Sequence, residues 1–234
     1  MLVDNIGDVY GLCVDIPKRL LKHNKYTYLA SKNIVKAKFL GINEVISKNT
    51  KVQNFITKYP NCLVFPNFFM DFLCDLTIRP LDSSEAILTL NNVKLPYNIG
   101  NIAKRLKYGD PLILVEGIAD LGALNYIDPS LNVIAIRTNS IPKSMYEYYA
   151  MLTNKIIFLP DNDEAGKSQL NRIKSRFSAL GVDMKVCEQF GDFKDTGDFI
   201  DLVMQYQISK DISLLDDIKC ASEYYKNIIK VSYE

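Results

Sequence analysis

The stretch Lys155-Ile156-Ile157-Phe158-Leu159-Pro160-Asp161-Asn162-Asp163-Glu164-Ala165-Gly166 runs an apolar segment straight into two aspartates and then into a helix start. Ile156 to Leu159 is short and rich in strand formers, the pattern of a strand covered on both faces in a parallel sheet. Asp161 and Asp163 fall at its carboxyl end, where open α/β sheets collect ligands. Two carboxylates one residue apart repel each other. A hard divalent cation neutralises such a pair; Mg²⁺ takes carboxylate oxygens at about 2.0–2.1 Å and keeps waters for substrate phosphates. The competing reading is an acidic turn capping a helix, since Asp is a good N-cap and Glu suits a first turn.

The 234 residues, 48% hydrophobic and 24% charged, are enough to bury a sizeable core as one domain or two small ones. A net charge of +1 leaves nucleic-acid binding to be argued from local basic clusters alone. Cys13, Cys62, Cys74, Cys187 and Cys220 form no C-x-x-C pair and His23 is the only histidine, so no zinc site is expected. Scattered odd thiols suit a reducing compartment. No signal peptide opens the chain and no apolar run is long enough for a bilayer, so the expectation is a cytoplasmic protein without a membrane partner.

In chain order, Asp15 to Leu21 announces a helix by its N-cap candidate and early Pro17. Tyr28 to Ile34, Val45-Ile46 and Val52 to Ile56 are short amphipathic pieces, broken at Gly41 and Asn49-Thr50. Residues 1–60 therefore read as a small helical cap. A β-rich basic segment follows over 61–108. Within it Leu63 to Pro66 and Phe72 to Ile78, joined by Asn67 to Asp71, read as an antiparallel hairpin, and Ala86 to Leu90 adds a third strand. Lys94 to Lys107 is the densest basic patch, with aromatic and amide residues interleaved. Lys94, Lys104, Arg105 and Lys107 are candidate phosphate contacts, against the alternative of a solvent-facing helix.

From residue 109 to 208 strands and helices alternate, which implies parallel strands joined by crossovers. Strands are expected at Leu112 to Val115, Val133 to Ile136, Ile156 to Leu159 and Met184 to Val186. Helices are expected at Ala119 to Tyr126, Pro142 to Leu152 and Glu164 to Leu180, the last burying Leu170, Ile173, Phe177 and Leu180. Residues 209–234 read as a helical tail. Acids stand at three ends in this alternation: Glu116 with Asp120, Asp161 with Asp163, and Asp195 with Asp198. Three such ends, each followed by a helix, can build a metal cluster facing a polyphosphate or a phosphodiester.

Leu114-Val115-Glu116-Gly117-Ile118-Ala119-Asp120, Asp161-Asn162-Asp163-Glu164-Ala165-Gly166 and Lys194-Asp195-Thr196-Gly197-Asp198 together resemble the TOPRIM fold. Within it they are most similar to the DnaG-type primase branch, which includes phage primase-helicases and the mitochondrial Twinkle helicase. The spacing Lys194-Asp195-x-x-Asp198 resembles the phage type rather than the cellular one, in which the last acidic pair stands two apart around a proline. Upstream, Leu63 to Pro66 with Ile78-Arg79 resembles a strand and basic residue of the family's amino-terminal subdomain. Lys104 corresponds to a family lysine, whereas Pro96 replaces another.

The resemblance implies an α/β fold: a TOPRIM-type, mostly parallel sheet flanked by helices, preceded by a small α+β subdomain. It implies Glu116, Asp161 and Asp163 as catalytic metal ligands for Mg²⁺ or Mn²⁺, with Asp120, Asp195 and Asp198 beside them. Arg79, Lys94, Lys104, Arg105 and Lys107 are then nucleic-acid or nucleotide contacts. The implied activity is a primase catalytic core that makes short RNA primers on single-stranded DNA from ribonucleoside triphosphates. Expected partners are a replicative helicase or a separate zinc-binding protein, in the host cytoplasm if the protein is viral. The alternatives are a metal-dependent nuclease or RNA-processing enzyme on the same acids, and a non-catalytic nucleic-acid-binding module.

Overall fold

The computed structural model describes residues 2–41, 49–69, 71–83, 86–90, 95–137 and 141–232. They form two compact units, Met1–Leu95 and Pro96–Glu234. The expected strand-to-basic-patch segment is thereby divided: Tyr97 to Lys107 belongs with the second unit, whereas a boundary after residue 108 was anticipated.

In the first unit, helix α1 (Leu2–Gly11) packs on an antiparallel sheet of β1 (Lys38–Gly41), β2 (Asn61–Phe69), β3 (Phe72–Pro80) and β4 (Leu88–Thr89), in the order β1-β2-β3-β4. The expected hairpin is β2 with β3, and its register runs from Cys62 opposite Pro80 to Phe69 opposite Phe72. The strands thus extend almost to the turn, through the Asn67 to Asp71 segment read as a connection. Pro66 is tolerated because β1 pairs only as far as Val64, so no ladder needs a donor on that flank beyond it.

The helical cap expected over residues 1–60 is not wholly helical. Its pieces are α1, a single 3-10 turn at Lys18–Leu20, α2 (Lys25–Ser31) and α3 (Thr50–Lys58), and β1 lies among them. α2 starts at Asn24, whose side chain accepts from the Tyr26 and Thr27 N–H groups in a capping box. β1 was missed because Phe39 and Leu40 are both buried, which erases the alternation that marks a half-exposed strand. Ile6, Val9, Leu40, Val52, Ile56, Val64, Leu76 and Ile78 close the core of this unit. The Val45-Ile46 piece and Lys94 lie outside the described residues.

The second unit holds α4 (Ile99–Arg105), β5 (Leu112–Val115), α5 (Ile118–Ile127), β6 (Val133–Ala135), α6 (Lys143–Leu152), β7 (Lys155–Leu159), α7 (Glu164–Ala179), β8 (Asp183–Val186), α8 (Asp198–Ser209) and α9 (Ser213–Val231). All pairings of its sheet are parallel and the order is β6-β5-β7-β8. β5 and β7 are central and essentially fully buried, as continuous apolar runs require. Val115 pairs with both Ala135 and Leu159, so β5, β6 and β7 end together.

The buried stripe of α7 is Gly166, Gln169, Ile173 and Phe177. Leu180, expected on that stripe, is 40% exposed at the C-cap. Ile173 and Phe177 are buried as expected, and Leu180 differs because the helix stops at Ala179 and leaves it in the C-cap. Among the described residues no helix is long and apolar enough to cross a membrane.

Candidate functional site

Each acidic loop leaves the second unit's sheet at one edge and is tied to the next by main-chain hydrogen bonds. At the end of β5, Glu116 accepts on Oε1 from the Asp161 N–H at 3.1 Å, which bridges the first and second acidic motifs. The Glu116 carbonyl accepts from the Arg137 N–H at 3.0 Å at the end of β6. Asp120, only 5% exposed, accepts on Oδ2 from Gly117 N–H and on Oδ1 from Gly197 N–H, both at 2.8 Å. It therefore fastens the β5 loop to the loop that carries Asp195.

At the end of β7, Asp163 is the N-cap of α7 and accepts on Oδ1 from Gly166 N–H at 2.9 Å. The acidic turn capping a helix, weighed from the sequence against a metal-neutralised pair of carboxylates, is what Asp163 forms here. A Cβ on residue 166 would stand 2.2 Å from the Asp161 carbonyl oxygen, so glycine alone fits. Asp163 Oδ2 lies 3.6 Å from Lys194 Nζ.

In the third loop, Asp198 turns Oδ2 onto the N–H groups of Lys194, at 2.7 Å, and Asp195, at 3.5 Å. Lys194 in turn accepts from Asn162 N–H at 2.7 Å.

A side-chain network that sequence reading missed supports these loops. Gln189 donates to the Pro160 carbonyl at 2.8 Å, one residue before Asp161. Its Oε1 accepts from the fully buried Thr196 at 3.1 Å and from Tyr225 of α9 at 2.9 Å. No chemical motif marks Gln189 or Tyr225, and the pairing spans 36 positions, so only the fold reveals it. Arg137 was missed too. It adopts φ 56°, a left-handed conformation uncommon for a residue with a side chain, directly beside Glu116.

The carboxylates act on one another. Burial first, then the charges of Asp120, Glu116, Asp195 and Asp163, push the Asp161 carboxyl up to about 8. Glu116 is raised by burial and by Asp163 and Asp195, against the lowering effects of the Asp161 N–H and Lys194. Asp163 is held low, chiefly by the Gly166 N–H. Glu116, Asp120, Asp163 and Asp195 thus stand near enough for their charges to act on Asp161, whereas Asp198 spends an oxygen on its own loop.

Among the described residues no three such side chains are gathered into a ready metal cage. The donor set is nonetheless all carboxylate oxygen with excess negative charge. That suits Mg²⁺, which commonly takes one or two carboxylates and completes its shell with water and phosphate.

The basic candidates are spread more widely. Lys104, Arg105 and Lys107 are exposed at the end of α4 and just after it. The Arg105 guanidinium donates to the Pro129 and Leu131 carbonyls, which pins the turn before β6. Arg79 belongs to the first unit, on β3, and stacks 4.2 Å from the Tyr26 ring centroid.

Residues 113–200 match the family model described as Toprim-like. The chain carries a Toprim-like domain. The matched span runs from β5 into α8 and contains every one of the six acids. The fold extends the likeness: a Pseudomonas aeruginosa DNA primase domain superposes with a TM-score of 0.67 at 14% identity, over 86% of this chain and 74% of that one. A DnaG primase catalytic domain bound to single-stranded DNA gives 0.61 at 13% identity, over 86% and 75%. The primase fragment of the bacteriophage T7 primase-helicase gives 0.51 at 13% identity, over 82% and 69%. Around its Toprim-like domain the chain has the fold of a DnaG-type primase catalytic core. No curated protein matches the sequence.

Proposed function

We propose that this chain is a primase catalytic core that joins ribonucleotides into short RNA primers on a single-stranded DNA template. The observation that carries this reading is the tying together of three acidic loops at the carboxyl edge of one parallel sheet, where Glu116 accepts from Asp161 N–H and Asp120 accepts from Gly197 N–H. Glu116, Asp161 and Asp163 would hold Mg²⁺ or Mn²⁺, with Asp195 at the margin. Bound there, a divalent cation supplies Lewis-acid neutralisation of triphosphate charge. Asp120 and Asp198 act through the loops: one bonds Gly117 and Gly197, the other caps the main chain at Lys194 and Asp195. Both keep the three loops in register, so the metal-binding carboxylates need no reorganisation when substrate arrives.

The exposed Lys104 and Lys107, together with Arg79 and Lys94, serve as charge contacts to template or nucleotide, sensitive to salt. A solved DnaG domain is bound to single-stranded DNA and a T7 primase fragment comes from a primase-helicase; both likenesses support a template strand and a helicase as this protein's partners.

The test is incorporation of labelled ribonucleotides on mixed-sequence single-stranded DNA with Mg²⁺ or Mn²⁺, alone and with candidate helicase or zinc-domain proteins. Short RNA products that vanish in Asp161→Asn and Asp163→Asn are expected. Absence of product under every condition overturns the reading, and metal-dependent strand cleavage without incorporation replaces it with a nuclease.

A further inference from the structure

We infer that Lys194 is an exchangeable counter-cation of the acidic cleft: it and a divalent metal are alternatives at Asp163 Oδ2, and the displaced ammonium passes to the phosphates of the bound nucleotide. The inference rests on the primase reading for its substrate.

The anchoring of Lys194 is distinctive. Its N–H is bonded to Asp198 and its carbonyl to Asn162 N–H, both at 2.7 Å, so its backbone is clamped between the second and third acidic loops. Its side chain, by contrast, is 64% exposed and meets Asp163 at 3.6 Å, a single ion-pair contact. A clamped backbone with a loosely held ammonium is suited to exchange between partners. Partly exposed pairs of this kind are weak, and lysine offers a point charge on a flexible stem rather than a fixed fork. Lys194 also acts electrostatically on Glu116, so its charge serves two of the three proposed metal ligands.

A divalent cation at Asp163 would compete with that ammonium for the same oxygen and repel it. The lysine then requires another anion within reach of its fixed backbone. A nucleoside triphosphate, brought to the same carboxylates by its metal, supplies one. Metal and nucleotide binding are thereby coupled through one side chain.

The experiment compares the full chain with Lys194→Met and Lys194→Arg. Mn²⁺ binding is measured without nucleotide, and ATP binding is then titrated at saturating Mn²⁺. Lys194→Met is expected to bind Mn²⁺ roughly fivefold more tightly, the scale of one close unit charge at a partly exposed site. It should bind ATP at least about fivefold more weakly, whereas Lys194→Arg stays near the parent in both. A purely structural lysine would not tighten metal binding when removed. Unchanged or weaker Mn²⁺ binding by Lys194→Met overturns the inference, as does unchanged ATP binding. If neither parent nor variant binds Mn²⁺, the metal reading of the cleft falls with it; equal binding by both removes the inference alone.

Discussion

Asp161 concentrates the conflict at this site. Its carboxyl is half-buried and surrounded by four other acids, an arrangement that works against folding unless a proton or a cation relieves it. Asp161→Asn should therefore abolish primer synthesis while leaving the protein as stable or more so. A gain on the order of 1 kcal/mol, about 2–4 °C in Tm for a chain of this size, is expected in metal-free buffer after discounting for partial exposure. A marked loss of Tm would mean that the side chain is needed for folding rather than for chemistry. Arg137 holds a different strain. At φ 56° a glycine fits without the Cβ clash, so Arg137→Gly should raise stability in urea denaturation by roughly 0.5–1 kcal/mol, net of the extra freedom glycine gives the unfolded chain. A destabilised Arg137→Gly would show that side-chain contacts outweigh the backbone cost. Asp161 was legible in the sequence because its spacing to Asp163 is local, whereas a backbone conformation imposed by the end of β6 leaves no local mark.

Elements were legible in proportion to how local their determinants are. β5, β7 and α7 announce themselves by apolar runs or periodic faces, and their bounds fall within a residue or so of the expected ones. β1 and the exposure of Leu180 at the end of α7 were not legible. The first is made a strand by pairing with β2, which begins twenty positions on, and the second follows from the helix stopping at Ala179. α9 is the instructive case. Its sequence reads as a packing tail, yet Tyr225 is fully buried and its hydroxyl reaches Gln189, which holds the Pro160 carbonyl and Thr196. Tyr225→Phe removes the bond to Gln189 and the one the hydroxyl accepts from Phe190 N–H at 3.3 Å, without removing the ring. The expected result is a loss of about 0.5–1.5 kcal/mol in stability. A several-fold fall in kcat with little change in nucleotide KM should accompany it, since the acids are mispositioned rather than removed. Unchanged kcat in Tyr225→Phe would confine α9 to packing.

At the scale of the whole chain, the two units differ in how much of their chemistry can be read from one strand of evidence. In the second, all six acids and the bonds that tie their loops lie between Pro96 and Glu234, so spacing, topology and electrostatics converge. In the first, Arg79 and Lys94 stand out in the sequence by their charge, which by itself does not say which phosphate, if any, each would meet. Asp161 and Glu116 each contribute a stability that falls as pH rises. Unfolded, an aspartate titrates near 3.9; folded, Asp161 titrates at about 8, so the native state holds its proton more tightly. That contribution is complete below about pH 4 and is lost as pH rises through 8. Glu116 is shifted the same way, while Asp163, held low, adds stability above its unfolded value and loses it only in acid. Metal-free protein should accordingly melt at a lower temperature at pH 9 than at pH 6. Mg²⁺ at saturating concentration should raise Tm more at pH 9, where the carboxylates are ionised. Asp161→Asn should flatten the decline between those values and shrink the Mg²⁺ effect. Thermal melts of parent and variant across pH 5–9, with Mg²⁺ and with EDTA, measure all three, and a parent curve that rises steadily to pH 9 without metal would show that the cleft does not crowd its charges as the geometry requires.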